Sequence, residues 1–105
     1  MTDRELLEAA AKAAGLKIHA ARQAERDEEG CANSGLWIVN GSTCWNPLTD
    51  DGDALRLAVK LEACIDFMDR RVVAGAWPEV VIDFTDEDYR RAIVRAASEI
   101  GRSMA

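Results

Sequence analysis

Apolar and polar positions recur along this chain with two different periods, and the points where the period changes divide it into elements. Thr2 followed three residues later by Glu5 forms a capping box, and Leu6, Ala10, Ala13 and Ala14 then recur on one face as far as Gly15. That spacing predicts a first helix over about residues 3–14. From Leu16 the period shortens: Leu16, Ile18 and Ala20 alternate with Lys17, His19 and Ala21, as in a strand with one covered face. The charged run Glu25-Arg26-Asp27-Glu28-Glu29-Gly30 reads as an exposed loop or as a frayed extension of that strand. Asn40-Gly41 then separates Leu36-Trp37-Ile38-Val39 from Ser42-Thr43-Cys44-Trp45, and Asn-Gly is the preferred pair for a two-residue type I′ turn. A hairpin on that turn sets Val39 opposite Ser42, Trp37 opposite Cys44 and Leu36 opposite Trp45. Trp37 and Trp45 therefore fall on opposite faces, and at most one indole meets the core.

Asn46-Pro47-Leu48 must be irregular, because proline keeps the residue before it out of the helical region, and Thr49, Asp50 and Asp51 offer caps for a second helix. Its buried side is expected to carry Leu55, Ala58, Val59 and Leu61, ending near Glu62. Cys64–Met68 and Val80–Phe84 read as strands able to pair antiparallel, with Val72-Val73 a shorter segment and Gly75-Ala76-Trp77-Pro78 a turn. Thr85 or Asp86 is expected to cap a third helix with Tyr89, Ile93, Ala96, Ala97, Ile100 and Met104 on its apolar side. Glu87 and Asp88 in its first turn complement the helix dipole. The order of elements lacks strict strand–helix alternation, so the expected fold is α+β: one domain over residues 1–105, with an antiparallel sheet that contains the Asn-Gly hairpin, packed with three helices.

Composition changes this picture by exclusion. The 105 residues are 49% apolar and 30% charged, enough for one core with a solvated surface and too rich in apolar side chains for wholesale disorder. Thirteen Lys and Arg against nineteen Asp and Glu give a net charge of −6, which repels a phosphate backbone and argues against direct nucleic-acid binding. No apolar run approaches the roughly 20 residues that span a membrane, and the start is charged, so a cytoplasmic protein is expected. Cys31, Cys44 and Cys64 are an odd number with no C-x-x-C pair, expected as reduced, core-filling thiols.

Candidate chemistry is sparse. There is no G-x-S-x-G, H-E-x-x-H, G-x-x-x-x-G-K-[ST] or G-x-G-x-x-G. Ser–His or Cys–His catalysis would have to be built around His19, the sole histidine, with Ser34, Ser42 or a cysteine. The three cysteines with His19 have the right ligand count for zinc but not the paired spacing. Asp50-Asp51-Gly52-Asp53 offers oxygen ligands, yet it also sits where a helix start wants carboxylates. No enzyme activity, metal or cofactor is expected. What remains is a binding site: Trp45 as an aromatic plate and Asn46 as an amide donor and acceptor before a helix start, with Arg56, Arg90 and Arg91 as guanidinium forks for an anion. Each has a plainer reading, Trp45 as core, Asn46 as the satisfier of its turn, and Arg91, Arg95 and Arg102 as a solvated stripe paired with acids one turn away.

Two blocks, Trp45 to Leu61 and Arg90 to Ala97 with Ile100-Gly101, together with Glu5 to Gly15, resemble small accessory proteins encoded by tailed phages and prophages. The likeness covers about half the chain. More distantly, the chain is similar to the NinX-like phage proteins, through the N-terminal helix, the Asn-Pro element and an alanine-rich C-terminal helix. The resemblance implies an accessory protein acting in the bacterial host's cytoplasm against its defences. Joined to the residues above, it leads to an expected function: non-enzymatic sequestration of a small nucleotide-derived anion, such as a host defence signal, by a homo-oligomer. The alternative is a protein-binding inhibitor, with Asp50, Asp51, Asp53 and the Glu25–Glu29 segment as DNA-mimicking charges.

Overall fold

The computed structural model describes residues 2–29, 35–38, 43–75, 79–85 and 88–104. Helix α1 (Asp3–Ala13) opens on the expected capping box, with Thr2 accepting from the Glu5 amide and Glu5 returning to Thr2. It closes where Gly15 turns left-handed at φ 72°, which lets the Leu16 amide reach back to the Ala11 carbonyl at 2.9 Å. The strand expected from Leu16 onward is corrected to a helix, α2 (Ala20–Glu28). Only one rung of the alternation survives, an isolated bridge between Ile18 and Ile38, beside His19 N–H donating to the Trp37 carbonyl at 2.8 Å. His19 is the N-cap of α2, its Nδ1 accepting from the Arg22 amide at 3.1 Å.

Helix α2 is polar, and Gln23 is its one buried residue. That side chain fastens it: Oε1 accepts from the Trp37 amide at 2.8 Å and Nε2 donates to Asp27 at 3.1 Å. Asp27 in turn takes both arms of Arg4 at 3.0 Å each. The Arg4 fork, helped by Gln23, holds the Asp27 carboxyl below the ordinary carboxylate range.

Strands β1 (Leu36–Ile38) and β2 (Thr43–Trp45) pair antiparallel with Leu36 opposite Trp45 and Trp37 opposite Cys44, the expected register. The Asn40-Gly41 turn itself lies outside the described residues. Gly35, at φ 103°, leads into β1 so close to Trp45 and Asn46 that a Cβ there would collide with the Trp45 carbonyl. The hairpin forms its own two-stranded sheet and does not join the other strands, which corrects the single sheet expected. In the second sheet β4 (Arg71–Ala74) is central, with β3 (Cys64–Asp66) and β5 (Val80–Asp83) on either side. The two strands expected to pair with each other are thus both paired with the short segment between them.

Helix α3 (Asp51–Lys60) is capped by Asp50, whose side chain accepts from the Asp53 amide at 2.8 Å. It buries Ala54, Leu57 and Ala58, while Leu55 and Val59, expected inside, are 46% and 76% exposed. Apolar residues lie on two sides of this helix, and the packing partners decide which side is covered. Helix α4 (Tyr89–Ser103) is capped by Asp88 rather than by Thr85; Asp86 and Glu87 lie outside the described residues. It is the centre of the fold, packed against α1, against β4 and β5, and against α3. Its burial of Ala92, Val94, Ser98 and Gly101 in addition to Ile93, Ala96 and Ala97 follows from that position. The architecture is α+β with four helices rather than three. No helix among the described residues is long and apolar enough to cross a membrane.

Candidate functional site

The end of α1, the hairpin and α3 meet around a cleft of about 430 Å³, lined by Ala14 and Leu16, by Ile38 and Trp45, and by Asp53, Arg56, Leu57 and Lys60. The local geometry follows from the loop after β2. Asn46 Oδ1 accepts from the Leu48 amide at 3.1 Å, and its carbonyl accepts from the Thr49 and Asp50 amides. This turn, with Pro47 buried, delivers the chain directly to the α3 cap. Asp53 then reaches back and accepts from the Asn46 amide at 3.0 Å, tying the first turn of α3 to the end of β2. Trp45 is held above α3 as one wall, and the residues at positions 53, 56, 57 and 60 form the facing wall, since helical spacing puts them on one side.

Of the five expected site residues, the structure brings two to this cleft. Trp45 is only 5% exposed and belongs to the core cluster, so little of its indole is open to the cleft. Arg56 stands on the rim with Nη2 2.7 Å from Asp53 Oδ1 and 3.9 Å from Asp50 Oδ2. Asn46 is occupied with its own turn, as described.

Arg90 and Arg91 lie elsewhere. Arg90 pairs with Asp51 at 2.6 Å and lies over the Tyr89 ring, and the Tyr89 hydroxyl donates a short hydrogen bond to the same carboxylate. Those two contacts, Tyr89 first, lower the Asp51 carboxyl, and the tyrosine is raised in return. Phe67 packs edge-on to Tyr89 at 5.4 Å. Arg91 grips Asp3 with both arms, at 3.0 and 3.2 Å, and its Nε lies 3.6 Å from Asp88. These two arginines fasten α4 to α3 and to α1; neither lines the Trp45 cleft. The convergence of all five residues expected from the sequence is therefore not what the fold builds. Helical spacing puts adjacent residues 90 and 91 about 100° apart around α4, so each meets a different neighbour.

Lys60 and Leu57 complete the site: Lys60 with Arg56 repeats on this helix the basic pattern that the sequence also carries on α4, while sequence reasoning passed over Leu57. The signal was available: Asp53, Arg56, Leu57 and Lys60 share one face of a helix whose start Asp50 had already marked. Other candidates resolve plainly. His19 caps α2. Cys44 and Cys64 are exposed, not core-filling, because each lies on the outward face of its short sheet; Cys31, Ser34 and Ser42 lie outside the described residues. Among the described residues no three His, Cys, Asp or Glu side chains are grouped to hold a metal ion. Arg95, exposed, has no ion pair among the described residues, while Arg102 pairs with Glu99. The cleft is read from its own chemistry, because no family model, no curated protein and no solved structure matches this chain.

Proposed function

We propose that this chain binds and holds a small anionic ligand, without transforming it, in the cleft between α3, the hairpin and the end of α1. The observation that carries the reading is a concave, apolar-floored site of about 430 Å³ with Arg56 and Lys60 on one wall, in a protein whose net charge is −6. Sites of this size enclose drug-sized ligands, and a few polar groups on an apolar lining give them their orientation. The phage context implied by the sequence resemblance makes sequestration of a host signal the biological form of the proposal. One chain supplies every wall of the cleft, so homo-oligomer formation is a separate expectation, which light scattering tests.

Calorimetric titration with a panel of cyclic nucleotides, ADP-ribose and aromatic and alkyl acids is expected to give one-to-one saturable heat for at least one class. Leu16→Trp, which fills the cleft from a half-buried position, is expected to abolish it. Silence across the panel refutes the reading.

A second reading, a protein-binding inhibitor, is favoured by a different region. Phe67 and Met68, 59% and 93% exposed, stand at the β3–β4 turn, with the Phe67 ring edge-on to Phe84 and Tyr89. Its charge-mimic form draws little support from the carboxylates, since Asp27, Asp51 and Asp53 are each held by an arginine. Met68→Asp separates the readings: it should impair a protein contact and leave ligand heat unchanged.

A further inference from the structure

We infer that the cleft selects a singly charged anion with a compact apolar body, an aryl or medium-chain carboxylate, over a multiply charged phosphate ester, and that Lys60 is the residue that reads the charge. The inference rests on the cleft being a ligand site, and it narrows the chemistry of what enters.

The charged wall contains one carboxylate and two cations, and they are not equivalent. Asp53 is largely buried, its side chain 14% exposed, and both its oxygens are engaged, one by the Asn46 amide and one by Arg56. Its negative charge is therefore a fixed part of the wall, and Arg56 is the group that balances it. The Arg56 guanidinium is drawn toward the first turn of α3: a Cβ on Gly52 would stand 3.1 and 3.2 Å from its two terminal nitrogens. Lys60 lies one turn further along, exposed, with no ion pair among the described residues. Arg56 is shared between Asp53 and, at 3.9 Å, Asp50, which leaves Lys60 as the cation of the lining that no carboxylate among the described residues pairs.

A ligand carrying one negative charge matches that cation. Each further charge would sit near Asp50 and Asp53, in the field of an acidic protein. The helix dipole adds to the discrimination, because Lys60 lies in the last turn of α3, where the partial charge of the free carbonyls is negative and opposes an anion. The floor decides the other end of the ligand. Ala14, Leu16, Ile38, Trp45 and Leu57 line it, and none of them has a side-chain acceptor or a carboxamide with which to read a base or a sugar. Trp45, buried as it is, leaves little of the ring surface on which a nucleobase would stack. An apolar body with a terminal carboxylate satisfies both ends, its body replacing water on the floor and its head pairing with the ammonium.

The test uses the full chain and three probes that share one ring system: 2-naphthylacetate, the neutral 2-naphthylacetamide and the dianionic 2-naphthyl phosphate, titrated at neutral pH and low salt. The acid should bind one-to-one, with the amide and the phosphate each about tenfold weaker or worse. Lys60→Gln, at an exposed position, should bring the acid down to the amide's affinity without moving the amide itself or the melting temperature. Lys60→Arg should restore the preference for the acid. A phosphate that binds as tightly as the acid overturns the inference, and so does an acid-to-amide ratio unchanged in Lys60→Gln; in both cases the cleft still stands as a site. Failure of all three probes to bind, together with silence of the wider panel, removes the cleft reading as well.

Discussion

The two sides of α1 are built on opposite principles. Along its length α1 runs beside α4 in the same direction: Asp3 meets Arg91 near one end, and Lys12 Nζ donates to the Met104 carbonyl at the other. This seam is made with small residues. Ala10 and Ala11 are buried on α1, and Gly101 of α4 comes so close to the Ala9 carbonyl that a Cβ would collide with it. At the end of α1, by contrast, Ala14 and Leu16 face Trp45, Ile38 and Leu57 across a cleft. Small side chains let two backbones close on each other and leave nothing between them. Large side chains on a short hairpin and a separate helix meet only at their tips, and the space they fail to fill is where a ligand fits. The same helix thus supplies a close-packed backbone seam and, at its end, one wall of an open cleft.

Substitutions can break or sharpen that contrast. The largest effect is expected at Gly101→Ala, where the added methyl meets backbone and cannot be accommodated by a side-chain rotation; a loss of about 3 kcal/mol in urea unfolding follows from overpacking of this kind. Leu57→Ala, at a position 2% exposed, should cost less, about 2 kcal/mol, at the low end for a buried leucine because the space created opens onto the existing cleft. Equal costs for the two would argue that the cleft is as tightly packed as the seam. Glu62→Gly should act in the other direction. Glu62 ends α3 in the left-handed region at φ 54°, where α1 uses Gly15, and relieving that should stabilise by about 1 kcal/mol, read as a rise in thermal midpoint. The smallest effect is expected at the end of the seam. The Arg91 fork holds the Asp3 carboxyl below its ordinary 3.8, burial opposing. A depressed folded pKa contributes stability that is present above pH 3.8 and is lost as pH falls through the lower folded value. Asp3→Asn should therefore lower stability by under about 1 kcal/mol at neutral pH, as for other exposed pairs, and the difference from the native chain should shrink as the pH falls below 3.8 through the lowered folded value.

Much of the local structure was legible in the residues. The Thr2–Glu5 capping box, the stop at Gly15, the register Leu36–Trp45 and the Asp50 cap are all as the sequence implied. Helix α2 was not legible, for a physical reason. The alternation of Leu16, Ile18 and Ala20 reads as a strand, and Ala20–Glu28 has no apolar stripe to announce a helix, since its buried anchor is the polar Gln23. What announced it was composition: alanine, arginine, glutamine and glutamate are strong helix formers, and Arg22 with Glu25 and Arg26 with Glu29 pair one turn apart. The site was half legible. Trp45 and Arg56 do share a cleft, but Arg90 and Arg91 found carboxylates on two other helices.

Read alone, the order of amino acids determined where α1 and α3 start and stop, which residues of the hairpin oppose each other, and that the chain belongs to the α+β class. These depend on hydrogen bonds and dihedral preferences within a few residues. Which face of α3 is covered, whether the hairpin joins the larger sheet, and which arginine meets which carboxylate were decided only by tertiary packing. Those outcomes depend on the distance and direction between elements far apart in the chain, and no local rule of spacing contains them.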